Sequence, residues 1–295
     1  MAETIAFIGL GNMGLPMATN LVKAGHAVHG FDVVPAANEA AAKAGIQVTP
    51  SAVEAVKGAD IIVSMLPNGK LVLDLYGSGL LEAAPKSALF IDSSTIDVAS
   101  AGKAHELAEK AGQASLDAPV SGGVGGAAAG TLTFMAGGAD AAFARAKPIL
   151  EQMGKKIVHC GGAGAGQAAK ICNNMILGIS MIAVGEAFVL GEKLGLSHQA
   201  LFDVASTSSG QCWSLTTYCP VPGPVPTSPA NNDYKPGFAA ALMLKDLLLS
   251  QEAASHAGAA TALGKHAADI YQTFVSEGQG GTDFSGIINA IRSAS

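Results

Sequence analysis

The sequence predicts an α/β protein: an N-terminal doubly wound parallel sheet, followed by an all-helical C-terminal domain entered by one long helix. Three observations predict it. Short apolar runs alternate with helix-patterned segments as far as about residue 160. A glycine-rich turn, Gly9-Leu-Gly11-Asn-Met-Gly14, joins the first apolar run to the first helix. From Gly161 onward, helical patterns and loops replace the alternation and no convincing strand remains.

Ile5–Ile8 is a buried-strand run, and the helix after Gly14 has apolar residues at 17, 18, 21, 22 and 24 before Gly25 stops it. Ala27–Phe31 reads as a second strand ending at Asp32, followed by a helix over about 36–44. Ser51, with Glu54 three residues later, is a capping box that starts another helix. Ile61–Leu66 is a buried strand halted by Pro67-Asn-Gly69, and Leu89–Ile91 is a short one ending in Asp92-Ser-Ser-Thr95. A helix over about 98–111 leads to Ala114–Leu116 and then to Asp117-Ala-Pro-Val-Ser121-Gly122-Gly123. Thr131–Ala136 alternates like a half-exposed strand, and a helix over about 139–153 separates it from a last strand, Ile157–His159. Gly161-Gly-Ala-Gly-Ala-Gly166 then reads as a hinge, placing the boundary near 163 and giving domains 1–163 and 164–295. Beyond it, helices are expected over about 167–194, 197–206, 238–256, 260–276 and 284–292. Pro220–Pro236 holds six of the 13 prolines and reads as a stiff, exposed, irregular loop.

Hydrophobic residues make up 49% of the chain and charged residues 14%, a surface poor in charge that a large subunit interface would explain. The net charge of −6 and the absence of any basic run argue against nucleic acid and anionic membrane as partners. Cys160, Cys172, Cys212 and Cys219 form no CxxC pair and no metal-ligand spacing with histidine. They read as free thiols of a cytoplasmic enzyme without a metal. The first strand begins by about residue 4, so no secretory or transit segment is expected. Ile171–Leu190 carries one charge, Glu186, and is long enough to cross a membrane, but Asn173, Asn174 and Ser180 interrupt it. A helix apolar all round, buried inside a large protein or an assembly, is the expected reading.

A glycine turn between a strand and a helix N-terminus is a place to hold pyrophosphate: Gly9 permits the turn, Gly11 admits the phosphates and Gly14 lets helix and strand pack. The helix end adds free N–H donors. Asp32, at the tip of the second strand, stands where the ribose hydroxyls of an adenosine would lie. As an alternative it is an ordinary loop acid or cap. No arginine follows through Asn38, so the pattern favours NAD over NADP. Pro67, Thr95 and Ser121 each follow a strand and should converge on the edge that carries the glycine turn. Ser121-Gly122-Gly123 can hold a carboxylate, or is a plain tight turn. Lys170 and Asn174, four apart, share a helix face. Burial would lower the pKa of Lys170, which suits a proton shuttle; otherwise it snorkels to solvent. Lys245-Asp246 interrupts an apolar helix as a core pair or a site. Trp213 is an aromatic wall for a small substrate or plain core. The seven histidines are scattered and read as structural or exposed.

Across nearly its whole length the chain resembles the β-hydroxyacid dehydrogenase family. Gly9-Leu-Gly-Asn-Met-Gly14-Leu-Pro-Met-Ala-Thr-Asn-Leu is similar to that family's extended dinucleotide signature. Asp117–Gly123 resembles its substrate-binding segment, Gly164–Asn174 its catalytic segment, and Lys245-Asp246-Leu a cofactor- and substrate-binding segment. The resemblance implies a Rossmann domain in which Gly9, Gly11, Asn12, Met13, Gly14, Asp32, Leu66, Pro67, Thr95 and Lys245 hold NAD. It implies a short 3-hydroxy acid with its carboxylate on Ser121, Gly122 and Gly123 and its hydroxyl facing Lys170, the general base, beside Asn174. Trp213 and Asp246 would also bind substrate. The segment Gly210–Trp213 and the proline-rich loop are more similar to members oxidising 3-hydroxyisobutyrate to methylmalonate semialdehyde in valine breakdown than to those reducing tartronate semialdehyde. A tartronate or succinic semialdehyde reductase is the nearer alternative, and a non-catalytic dinucleotide-binding module the remote one. Relatives also imply a homodimer or homotetramer packed through the long helix.

Overall fold

A computed structural model describes residues 2–294. It divides into two compact units, one running through Lys170 and the other from Ile171 onward.

The first unit is built on nine strands: β1 (Thr4–Ile8), β2 (Ala27–Phe31), β3 (Gln47–Val48), β4 (Ile61–Ser64), β5 (Leu89–Asp92), β6 (Ala114–Asp117), β7 (Val120–Ser121), β8 (Leu132–Gly137) and β9 (Gly154–Gly161). Their order is β3-β2-β1-β4-β5-β6-β8-β7, with β9 on β8. From β3 to β6 every pairing is parallel. Alternate residues of these strands enter two different cores. Ile5, Phe7, Ile61, Val63, Leu89 and Ile91 pack on one face, and Ala6, Ile8, Ile62 and Phe90 on the other. A strand buried on both faces needs a continuous apolar run, which is what these segments show. The helices Gly14–Lys23, Pro35–Lys43, Val98–Lys110 and Asp140–Leu150 occupy the stretches expected from their periodicity. Ser51 caps Ala52–Ala55 by accepting from the Glu54 N–H at 3.1 Å.

At the far end the sheet becomes mixed. β8 runs antiparallel to β6 and β7 and parallel to β9. The half-exposed strand expected at 131–136 is instead largely buried: Leu132, Phe134, Met135 and Ala136 lie in the interior. Neighbours on both edges account for this. Helices of this unit that the sequence reading does not include are Gly69–Leu75, with the short helical stretches Tyr76–Leu80 and Leu81–Ala83 after it, and Gly123–Ala129. Gly69–Leu75 is capped by the Asn68 side chain, which accepts from the Leu71 N–H. Gly123–Ala129 opens at the Ser121-Gly122-Gly123 turn and is too rich in glycine to be legible as a helix.

The second unit is helical, with Ala165–Lys193 entering it from the first unit and His198–Ala205, Ala240–Ala257, Ala262–Ser276 and Ile287–Ser293 following. Met181, Met243, Leu247, Tyr271 and Ile287 form one core, and Phe188, Val189, Leu215, Val221 and Ile288 another. The proline-rich loop is irregular as expected, but Val221 and Val225 anchor it in the second core, so it is not simply exposed. Asp283, fully buried, accepts from the Tyr218 hydroxyl and from the Gly237 and Phe238 N–H groups, tying the loop's end to the bundle.

The long helix is long and apolar enough to cross a membrane by length and composition, and half of its most apolar window is buried inside the protein. It is not apolar toward the core all round. Met181, Ile182, Phe188 and Val189 face the interior, while Ile176, Leu190 and, just beyond the helix, Leu194 are more than half exposed.

Candidate active site

The glycine turn is set by exclusion. Gly9 has φ +94°, and a Cβ there would stand 2.3 Å from the Met65 carbonyl oxygen. A Cβ on Gly14 would stand 1.9 Å from the Gly9 carbonyl oxygen, so helix and strand approach only without side chains. Nothing lies within 4 Å of a Cβ on Gly11, whose outer side is open. Gly11 and Asn12 are exposed and Met13 half-buried, an accessible turn at a helix N-terminus that fits a pyrophosphate.

Asp32 follows β2 and is bound to this turn. Its carboxylate accepts from the Leu10 N–H at 2.6 Å and from the Val34 N–H at 2.8 Å. Asn38 holds the Asp32 backbone from both sides, at 2.9 and 2.7 Å. Asn38 was not singled out in the sequence; an amide six residues after a strand-end acid is its only local signal. Beyond Asp32, Val33 and Val34 are exposed, and no cationic side chain stands between Asp32 and Asn38. Leu66 comes within 3.1 Å of a Cβ built on Gly9, and its N–H donates to the Ser94 hydroxyl. Pro67 and Thr95 follow β4 and β5, and Ser121 is the last residue of β7. Gly122 and Gly123 have φ values of +136° and +62°, so the turn depends on glycine at both positions.

Asp92 and Asp117 are register partners at the ends of β5 and β6, and both are buried. Their surroundings differ. One Asp92 oxygen accepts from the Ser64 and Ser94 hydroxyls at 2.7 and 2.6 Å, and the other has no partner among the described residues. Burial pushes the Asp92 carboxyl above the ordinary carboxylate range, against the pull of those hydroxyls. Asp117 accepts from the Gly164 N–H and the Gln167 N–H, both at 2.8 Å, and lies 2.9 Å from His105 Nε2. It therefore caps the long helix from another element, with negative charge at the positive end of the dipole.

That helix start is seated tightly. A Cβ on Gly166 would lie 2.3 Å from the Met135 carbonyl oxygen, and one on Gly137 would lie 2.6 Å from the Gly166 nitrogen. One turn on, Lys170 is 7% exposed and its Nζ donates to the Val120 carbonyl oxygen at 2.7 Å. The lysine does not snorkel. It is held beside the residue that precedes Ser121-Gly122-Gly123. Asp117 and Gln167 lie inside the two segments matched by resemblance, Asp117–Gly123 and Gly164–Asn174, but neither carries a role of its own in the sequence reading.

In the second unit the Asn174 amide donates to Asp246 Oδ2 at 2.5 Å and accepts from the Asn173 amide at 2.9 Å. Asn174 and Asp246 are both buried. Lys245 is half-buried, and desolvation lowers its ammonium pKa while the neighbouring Asp246 raises it. Trp213 is 47% exposed and stacks on Tyr218 at 4.9 Å, so it is not core. No group of three or more His, Cys, Asp or Glu side chains placed for a metal occurs among the described residues.

The chain is similar to known proteins along nearly its whole length. The family model for the NAD binding domain of 6-phosphogluconate dehydrogenase matches residues 4–162. That for the NAD-binding domain of NADP-dependent 3-hydroxyisobutyrate dehydrogenase matches residues 164–291. The probable 3-hydroxyisobutyrate dehydrogenase of Mycobacterium tuberculosis is 58% identical over 289 residues, covering 98% of each chain. The NAD-dependent L-serine dehydrogenase of Pseudomonas aeruginosa is 47% identical over 285 residues, covering 96% of each. Among solved structures, Mycobacterium tuberculosis 3-hydroxyisobutyrate dehydrogenase with L-serine superposes with a TM-score of 0.96 at 57% identity, covering 99% of this chain and all of that one.

Proposed function

Since the chain belongs to the 3-hydroxyisobutyrate dehydrogenase family of β-hydroxyacid dehydrogenases, and is an NAD-dependent oxidoreductase, we propose that it oxidises 3-hydroxyisobutyrate to methylmalonate semialdehyde in valine breakdown. The observation that carries this reading is Lys170. It is a buried amine at the head of the long helix, donating to Val120 next to a glycine turn suited to a carboxylate.

NAD supplies the two-electron acceptor. Gly9, Gly11, Asn12, Met13 and Gly14 hold its pyrophosphate, Asp32 its ribose, and Leu66, Pro67, Thr95 and Lys245 the remainder. The carboxylate on Asp32 and the exposed Val33 and Val34 offer nothing to a 2′-phosphate, which supports NAD over NADP. Ser121, Gly122 and Gly123 bind the substrate carboxylate through a hydroxyl and N–H donors. Lys170, as the neutral amine, accepts the C3 hydroxyl proton; its ammonium form returns that proton in the reverse direction. Asn174, fixed by Asp246, keeps the hydroxyl in line, and Trp213 bounds the substrate. The exposed side of the long helix supports a homodimer or homotetramer, and the four free cysteines suit the cytoplasm.

A second reading is oxidation of L-serine. The relative bearing that name is 47% identical, and serine is also a 3-hydroxy acid, with an amino group on C2 in place of methyl. A steady-state panel of 3-hydroxyisobutyrate, L-serine, and tartronate and succinic semialdehydes, each with both cofactors, separates these. The highest kcat/KM with 3-hydroxyisobutyrate and NAD is expected; a preference for NADPH and a semialdehyde contradicts the assignment.

A further inference from the structure

Gln167 lies one turn before Lys170 and is fully buried, yet nothing in the reaction as described uses it. Its side-chain amide is used at both ends. Oε1 accepts from the Ile96 N–H at 3.1 Å, and Nε2 donates to the Ser94 carbonyl at 2.7 Å. These two bonds bracket Thr95. The Gln167 main chain is itself fixed, because its N–H donates to Asp117. Residues three apart on a helix lie on neighbouring positions of one face, so Gln167 and Lys170 move together.

We propose that Gln167 is a positioning residue: its amide clamps the Ser94–Ile96 turn to the turn of helix that bears Lys170, and so fixes Thr95 relative to the proton acceptor. The inference rests on the reading of Lys170 as general base and Thr95 as a cofactor contact. The chemical reason is registry. The C3–H bond gives up the hydride as the O–H on the same carbon gives up its proton and C3=O forms, so the group that receives the proton and the wall that seats the hydride acceptor must keep a fixed spacing. A buried amide with both ends paired is a rigid strut, and losing it leaves a donor and an acceptor unpaired. A displacement of about 1 Å at a reacting centre costs on the order of 100-fold in rate.

The test uses Gln167→Met, which keeps the length without the amide, and Gln167→Glu, which replaces the donor to Ser94 with an acceptor. Steady-state kinetics with 3-hydroxyisobutyrate carrying deuterium at C3 give kcat, KM and the isotope effect. The expected result is a fall in kcat of about 30- to 100-fold, a larger isotope effect as hydride transfer becomes rate-limiting, and NAD affinity changed far less. Hydrogen exchange at the Ile96 amide, read on the same proteins, should lose protection in Gln167→Met. Wild-type kcat and isotope effect in the folded variants overturn the proposal, as does unchanged Ile96 protection. A loss of activity that only tracks the unfolded fraction, with the isotope effect unmoved, also overturns it. Failure of the wild type to oxidise any 3-hydroxy acid contradicts the underlying reading instead, and the exchange measurement still decides the clamp.

Discussion

The glycine turn and the lysine turn sit at opposite ends of the first unit's sequence and are fixed in different ways. Gly9–Gly14 is fixed mainly by backbone contacts so close that a side chain at Gly9, against the Met65 carbonyl, or at Gly14, against the Gly9 carbonyl, has no room. The turn that bears Lys170 uses a similar seat at Gly166, but its phase is set by groups 47 to 73 positions away: Asp117, Val120, Ser94 and Ile96. A turn held by sterics can be exposed and still keep its shape, as a binding loop must. A turn held by buried hydrogen bonds can orient one amine in a dry place, at the cost of needing every partner.

The largest effects should come from breaking each turn in its own manner. Gly14→Ala forces a Cβ into the Gly9 carbonyl and should abolish NAD binding, measured by calorimetry. Asp117→Ala should instead unfold the protein more readily. It leaves the Gly164 and Gln167 N–H groups without their acceptor, each worth about 1–3 kcal/mol when buried, as a urea titration would show. If Asp117→Ala weakened NAD binding without loss of stability, the contrast between the two turns would fail.

Much of the first unit was legible because its physics is local. Apolar runs, Gly25 as a stop, Ser51 as a cap and the spacing from Gly14 to Asp32 all act within a few residues or one βαβ unit. The helix at Gly123–Ala129 was not legible, since its sequence Gly-Val-Gly-Gly-Ala-Ala-Ala carries no apolar periodicity. Nor was the burial of β8, which depends on strands that close on both its edges. In the site, Lys170 stood out as a charge heading an apolar helix, whereas Gln167 and Asp117 are defined by partners far along the chain. Their pairing cannot be read from neighbours in sequence.

Smaller effects sharpen the contrast between the paired acids. Asp92 has a raised pKa, so its burial costs stability once pH passes the unfolded carboxyl's value and the cost grows until the folded group ionises. Asp92→Asn should therefore match the wild type in acid and be at least as stable at pH 7, by thermal melts across that range. A large loss at pH 7 would mean the charge is needed. The smallest effect belongs to Glu192, at the far end of the long helix, which Arg292 grips through two nitrogens. Arg292 holds its carboxyl down to about 2, with His198 assisting. That stability is present above the unfolded pKa and is lost as pH falls toward 2. Glu192→Gln should cost about 1 kcal/mol or less at pH 7, with the difference vanishing in acid.

The central claim is that a buried amine at position 170 is the proton acceptor. Replacing Lys170 with alanine and measuring turnover of 3-hydroxyisobutyrate beside NAD affinity tests it most directly. Turnover should fall by about two to four orders of magnitude while NAD still binds. Near-normal turnover by the variant would contradict the account.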